Sequence, residues 1–148
     1  MIEPQTDLAS RLLEIVPMIM RAAAAELRHK EPVATLPHLG VLVTLAHGPC
    51  ILSDLANQHI VSRPTMSNTV STMVERGWIQ RTPDASDRRK IWVSLTPAGV
   101  QLLLAVREES RIRANELLAL LTPAEREALD AGLVVMQRLF AIITHQEA

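Results

Sequence analysis

Apolar residues recur with a helical period over most of the chain and alternate in one short stretch. Residues 7–29 carry Leu8, Leu12, Ile15, Ile19, Ala22, Ala23 and Leu27 at steps of three and four, with charges opposite, which predicts an amphipathic helix. Pro17 lies inside that stripe. Its missing amide and its clash with the preceding turn predict a kink or a break there. Residues 37–47 form a shorter apolar helix, with Pro37 in its first turn and Gly48 and Pro49 closing it. A short helix over 53–58 and a longer one over 63–76 follow, and Gly77 is placed to end the second in the left-handed conformation.

The period then changes from helical to two. Residues 78–81 and 90–95 read as strands, with Ile91, Val93 and Leu95 on one face and Trp92 on the other. Residues 83–87, PDASD, form the loop between them. Helices over 97–120 and 123–145 finish the chain. Both begin with threonine at the N-cap (Thr96, Thr122) and proline at the first helical position (Pro97, Pro123), and Glu125 completes a capping box with Thr122. The fold class expected is mainly α with a small β-hairpin wing, an α+β arrangement in one domain over 1–148.

The order short helix, turn, helix, hairpin is the layout of a winged helix-turn-helix over about 37–99. In the second helix Met66, Val70 and Met73 share the inward face. Arg63, Pro64, Thr65, Asn68 and Thr72 are the outward set, with Ser67 and Ser71 beside them. Short hydrogen-bonding side chains and one arginine suit a major groove, where base edges offer donors and acceptors. An ordinary solvated helix face is the competing reading, and the basic hairpin that follows disfavours it.

That hairpin carries Asp87, Arg88, Arg89 and Lys90 at its tip. Arg89, with Arg88, can enter a minor groove, where narrow A·T-rich stretches concentrate negative potential. Lys90 and Arg81 suit the flanking phosphates. Asp87 would lie too close to phosphates to contact them, and is expected to pair with a neighbouring arginine and order the loop.

Composition narrows the rest. The chain has 148 residues, 48% hydrophobic and 21% charged, ordinary values for one soluble domain that needs no disulfide or metal to hold its core. Its net charge is −1, yet residues 51–99 alone carry Arg63, Arg76, Arg81, Arg88, Arg89 and Lys90 against Asp54, Glu75, Asp84 and Asp87. The asymmetry is mild and decides nothing by itself. Cys50 is the single cysteine, which excludes an intramolecular disulfide and suits a reducing cytoplasm. Glu3 and Asp7 open the chain where a secretory signal would place lysines and an apolar run, and no apolar stretch approaches a membrane span. His29, His38, His47, His59 and His145 are scattered, with no pair at zinc-ligand spacing, and no nucleophile, phosphate or dinucleotide motif is present. No metal, cofactor or enzymatic activity is expected.

The winged segment resembles the MarR family of bacterial regulators. The family pattern D-x-R, five residues, L-T-x-x-G is matched by Asp87, Arg89, Leu95, Thr96 and Gly99, and Leu55-Ala56, Ser62 to Thr65 and Glu75 to Gly77 fit as well. The resemblance implies a homodimer whose N- and C-terminal helices, about 7–29 and 97–145, form the dimerisation layer. Leu117, Leu118, Leu120, Leu121, Leu129, Leu133, Val134, Leu139, Phe140 and Ile143 are the apolar candidates for it. It also implies double-stranded DNA with an inverted-repeat operator as partner, and repression relieved by a phenolic or anionic ligand held near His38, Val41 and Leu42. A dimer that binds small molecules or serves structure, without DNA binding, is the alternative.

Three positions depart from the family. His59 stands where an apolar residue is usual, and Ile60 where a glycine commonly permits the turn. Either the turn has another shape or His59 packs inward as a hydrogen-bonded histidine. Asn68 stands where many relatives carry arginine, which implies a different base preference. Redox-sensing relatives place a reactive cysteine in the first helix with tyrosine partners. This chain has neither, so Cys50 is expected to be a buried structural thiol.

Overall fold

The computed structural model describes residues 7–32 and 34–146, apart from the side chains of residues 23 and 142–146. The expectations for Glu3 and for the side chains of Ala23, Ile143 and His145 lie outside the described residues. Six helices and three short strands follow in the order α1 (Leu8–Lys30), α2 (Leu36–Leu45), β1 (Cys50–Ile51), α3 (Leu52–Gln58), α4 (Arg63–Glu75), β2 (Ile79–Pro83), β3 (Ile91–Leu95), α5 (Pro97–Leu118) and α6 (Pro123–Gln146). The chain divides into two compact units, Met1–Ser110 and Arg111–Ala148, with the boundary inside α5.

The first unit is built on one apolar cluster. Leu27 of α1, Val41 and Leu42 of α2, Leu55 of α3, Val70 and Met73 of α4, Ile79 and Val93 of the sheet, and Leu103 and Val106 of α5 belong to it. Met66, Val70 and Met73 are all buried, as the spacing in α4 predicts. The sheet is antiparallel in the order β1-β3-β2, so β3 is central and β2 an edge strand. The alternation in β3 holds: Val93 is buried, Ile91 and Leu95 are half-buried, and Trp92 faces outward. Lys30 pairs with Glu109 at 2.9 Å and joins the end of α1 to α5.

Four local features differ from the sequence expectation. Helix α1 runs without a break through Pro17. The polar and apolar pattern of a helix this long continues on both sides of the proline, so the loss of one backbone hydrogen bond does not end it. Strand β1 was not legible, because two residues are too few to show alternation; Cys50 pairs with Val93 and Ile51 with Trp92. Helix α2 starts at Leu36, capped by Thr35, whose amide and hydroxyl both meet Nδ1 of His38 at 2.9 and 3.0 Å. Cys50 is half-buried rather than buried. Its thiol is pushed up by burial and by the nearby Asp54 carboxylate, opposite to the activation that a helix start could have given.

Towards the other end of α1 Leu8, Leu13, Ile15, Met18 and Ile19 are exposed and Leu12 is half-buried, whereas Ala24 and Leu27 are buried. The second unit shows the same trait in α6, where Leu129, Leu133, Val134, Leu139 and Phe140 are exposed. Its helix start follows the expected box, with Glu125 Oε2 accepting from the Thr122 amide at 2.8 Å and Thr122 Oγ1 accepting from the Glu125 amide at 3.3 Å. Among the described residues no helix is long and apolar enough to cross a membrane.

Candidate functional site

Helix α4 presents the predicted outward row. Ser62 caps its first turn, its hydroxyl accepting from the Thr65 amide at 3.2 Å and bonding Thr65 Oγ1 at 2.7 Å. Arg63 and Pro64 occupy the first two helical positions, and both are exposed. The hydroxyls of Ser71 and Thr72 donate back to the carbonyls of Ser67 and Asn68. Asn68 is exposed, and its amide makes no hydrogen bond among the described residues. Of the outward set, Arg63 and Asn68 thus keep their polar ends open.

The wing is a hairpin whose tip is tied by one carboxylate that sequence reasoning passed over. Asp84 Oδ1 accepts from the Ser86 amide and hydroxyl at 2.8 and 2.6 Å and from the Asp87 amide at 2.9 Å, while Oδ2 accepts from Trp92 Nε1 at 2.8 Å. Ser86, then Trp92 and the loop amides, hold its carboxyl well below the usual carboxylate range. Asp87 plays the ordering role expected of it. Its Oδ1 accepts from the Arg89 amide at 3.1 Å and from Arg89 Nε at 3.2 Å. Arg89 is nonetheless 92% exposed in its side chain, and an exposed pair of this kind contributes about 0–1 kcal/mol, so the guanidinium is easily released. Arg88 and Lys90 are exposed and have no side-chain partner among the described residues. Arg81 differs from expectation. Instead of standing free for a phosphate, its Nη2 donates to the Ser67 carbonyl at 2.9 Å and to Ser71 Oγ at 3.0 Å.

Wing and recognition helix share one junction. The Thr96 amide donates to the Trp78 carbonyl at 3.0 Å, its hydroxyl donates to the Gly77 carbonyl, and it also accepts from the Gly99 amide at 3.1 Å. Gly77 ends α4 at φ 71°. A Cβ on Gly99 would lie 1.9 Å from the Trp78 carbonyl oxygen, so only glycine admits this approach. Those contacts explain why threonine and glycine stand three residues apart at the start of α5.

The residues expected at a ligand pocket are placed otherwise. Val41 and Leu42 are fully buried in the core, and His38 is buried as the partner of Thr35 in the α2 capping box, with its ring edge-on to Trp78 at 5.9 Å. A hollow of about 300 Å³ does lie between α1, α2 and α4, in the region expected, but Met20, Leu36, Gly40, His59, Val61 and Met66 are among the residues that line it. Among the described residues no group of three His, Cys, Asp or Glu side chains is placed to hold a metal ion.

The MarR family model matches residues 34–91, the stretch that contains α2 to the start of β3. An HTH-type transcriptional regulator of Mycobacterium bovis is 28% identical over 136 residues, 90% of this chain and 95% of that protein. The HTH-type transcriptional repressor NicR of Pseudomonas putida is 32% identical over 83 residues, 56% of this chain and 52% of that protein. The crystal structure of RV1404 from Mycobacterium tuberculosis has a TM-score of 0.82 at 25% identity, over 94% of this chain and 95% of that one. The segment 34–91 is similar to the MarR family, and the chain as a whole is similar to HTH-type transcriptional regulators. The mycobacterial relatives that match over most of their length are named HTH-type transcriptional regulators.

Of the two alternatives raised by the unusual turn, the inward-packed histidine is the one observed. Ile60 takes a positive φ, 53°, in the region that favours glycine, and it does so while 92% exposed. His59 packs inward, with Nε2 bonded to Thr44 Oγ1 at 3.1 Å and its ring against Gly40, where a Cβ would meet it at 3.0 Å. Burial lowers the pKa of that imidazole. The turn holds a β-branched residue in the left-handed region, at a cost of order 1–3 kcal/mol.

Proposed function

We propose that the protein is a homodimeric repressor that binds an inverted-repeat operator and is released from it by a small ligand. Helix α4 enters the major groove with Arg63, Pro64, Thr65, Ser67, Asn68 and Thr72, and the wing tip brings Arg88, Arg89 and Lys90 to the minor groove and its phosphates. The observation that carries this is the pairing of an open polar row on α4 with basic side chains at the tip of a wing that Asp84 and Asp87 hold in shape. The exposed apolar stripe of α1 and that of α6 are what a second copy would cover, in an obligate interface above roughly 2,000 Å². Repression agrees with the name of the Pseudomonas relative.

The hollow beside His59 is the ligand site in this reading. At about 300 Å³ it suits a single small ring compound, and a mostly apolar lining with one imidazole favours a phenolic molecule. Its walls include Thr65, Met66 and Thr69 of α4, so an occupant would press on the helix that reads DNA. The test is selection of duplexes from random DNA with the purified protein, combined with light scattering. An inverted repeat bound by a dimer is the expected result; a monomer mass at micromolar concentration, or no enriched sequence, would overturn it.

A further inference from the structure

We propose that Arg81 is a positioning residue, a clamp that holds the wing to the recognition helix so that the two elements meet DNA as one body. This rests on the DNA-binding reading above but not on any contact between Arg81 and DNA. Strand alternation sets it up. Arg81 shares a face of β2 with Ile79, which is buried, and stands opposite Val93, which is fully buried. Its side chain therefore leaves the sheet on the core side. Because β2 is the edge strand, the charged head reaches the rim of the core rather than its middle.

What it finds there is α4. Nη2 donates to the Ser67 carbonyl and to Ser71 Oγ, and Ser71 Oγ itself donates to the same carbonyl at 2.8 Å. Arginine, hydroxyl and carbonyl close a triangle that spans one helical turn. Two adjacent acceptors, from residues one turn apart on α4 and both met by Nη2, tie the strand to one face of the helix and so oppose its rotation about its axis. That rotation decides where Arg63, Thr65 and Asn68 point, and the hairpin that contains Arg81 carries Arg88, Arg89 and Lys90 at its tip. The clamp thus sets the angle between the groove-facing row and the wing. Lysine would be a poorer substitute, since its ammonium sits on a flexible stem, whereas the planar guanidinium holds Nη2 in a fixed direction.

The test turns on Ser71, which is uncharged and lies outside the set proposed to meet DNA. Ser71→Ala removes one acceptor from the clamp and leaves every charge in place. Affinity for the inverted-repeat duplex selected by the wild type is measured for Ser71→Ala, Arg81→Ala, Arg81→Lys and the double alanine variant. A salt series accompanies it, with Arg89→Ala as the comparison for a lost cationic contact. Amide exchange is followed on the same proteins without DNA.

The clamp predicts that Ser71→Ala weakens binding by roughly 2–10-fold, as the loss of one hydrogen bond does. Arg81→Ala weakens it more, Arg81→Lys rescues it incompletely, and the double variant is no weaker than Arg81→Ala alone. The slope of log K against log salt stays near the wild-type value in the Arg81 variants, and the β2 and β3 amides exchange faster. A phosphate contact predicts otherwise: wild-type affinity in Ser71→Ala, unchanged exchange, and a slope in Arg81→Ala smaller in magnitude by about 2 per dimer. That result would overturn the clamp. A wild type that selects no duplex would overturn the DNA-binding reading instead, and the exchange rates would still decide the clamp.

Discussion

The winged region contains two turns with the same task and opposite constructions. The wing loop, residues 84–90, is exposed and held by a carboxylate that accepts four hydrogen bonds. The turn before α4, residues 59–62, is held by a half-buried imidazole bonded to Thr44 and by a strained, exposed isoleucine. The first needs no packing and no unusual backbone conformation. The second depends on both, and the burial of His59 disfavours its charged form. The carboxylate keeps its charge further into acid than the half-buried imidazole keeps its neutral form.

The largest expected effect is at His59. His59→Ala removes the packing against Gly40 and the bond to Thr44, and should cost about 2 kcal/mol in denaturant unfolding. The same residue sets a pH dependence. Burial lowers the folded pKa of both His59 and His38, so below about pH 6.5 the unfolded chain binds protons that the folded chain refuses. Stability should therefore fall as pH drops through that range and level off below the folded values. The decline should be shallower in His59→Ala, where only the His38 share remains. Equal pH profiles for the two proteins would break the comparison.

Ile60→Gly comes next and has the opposite sign. The side chain is 92% exposed, so little burial is lost, while the left-handed strain is relieved. A net gain of about 1 kcal/mol is expected, after the entropy that glycine returns to the unfolded chain. A loss of stability on this change would show that Ile60 packs on something as yet unseen. Asp84→Asn should have the smallest global effect and a clear local one. Melting should be unchanged, while Trp92 emission shifts and the wing loop becomes a protease target, because an amide cannot accept both from the loop and from the indole as the carboxylate does. With the Asp84 pKa held far down, its contribution is present at neutral pH and lost only as pH falls through that lowered value, so wild-type Trp92 should report an intact wing at pH values where the His59 turn has begun to loosen.

The same contrast governs what could be read from sequence. The inward face of α4, the left-handed Gly77, the threonine caps and the alternation in β3 follow from period and local chemistry, and the structure contains them. The Asp87–Arg89 pair was legible because its partners lie two residues apart. Contacts between distant segments were not. Arg81 reads as a free cation until its parity with Ile79 is followed to the core side of an edge strand, where Ser67 and Ser71 wait. Thr35 and His38 form a capping box with histidine in the place of the usual glutamate, which hid both the cap and the true start of α2. Val41 and Leu42 were expected at a ligand pocket, but a short helix packed on several neighbours buries them completely.

The most direct test of the account concerns Asn68, whose open amide stands on the outward face of α4. An amide in the major groove can bond adenine N6 and N7 together, a pattern the other bases do not offer. Asn68→Ala should cost roughly 1–3 kcal/mol per base pair read on the selected inverted repeat and almost nothing on random DNA, with the lost preference falling at symmetric positions in both arms. Equal weakening on the two kinds of DNA would contradict it, and α4 would then position the protein without reading the base opposite Asn68.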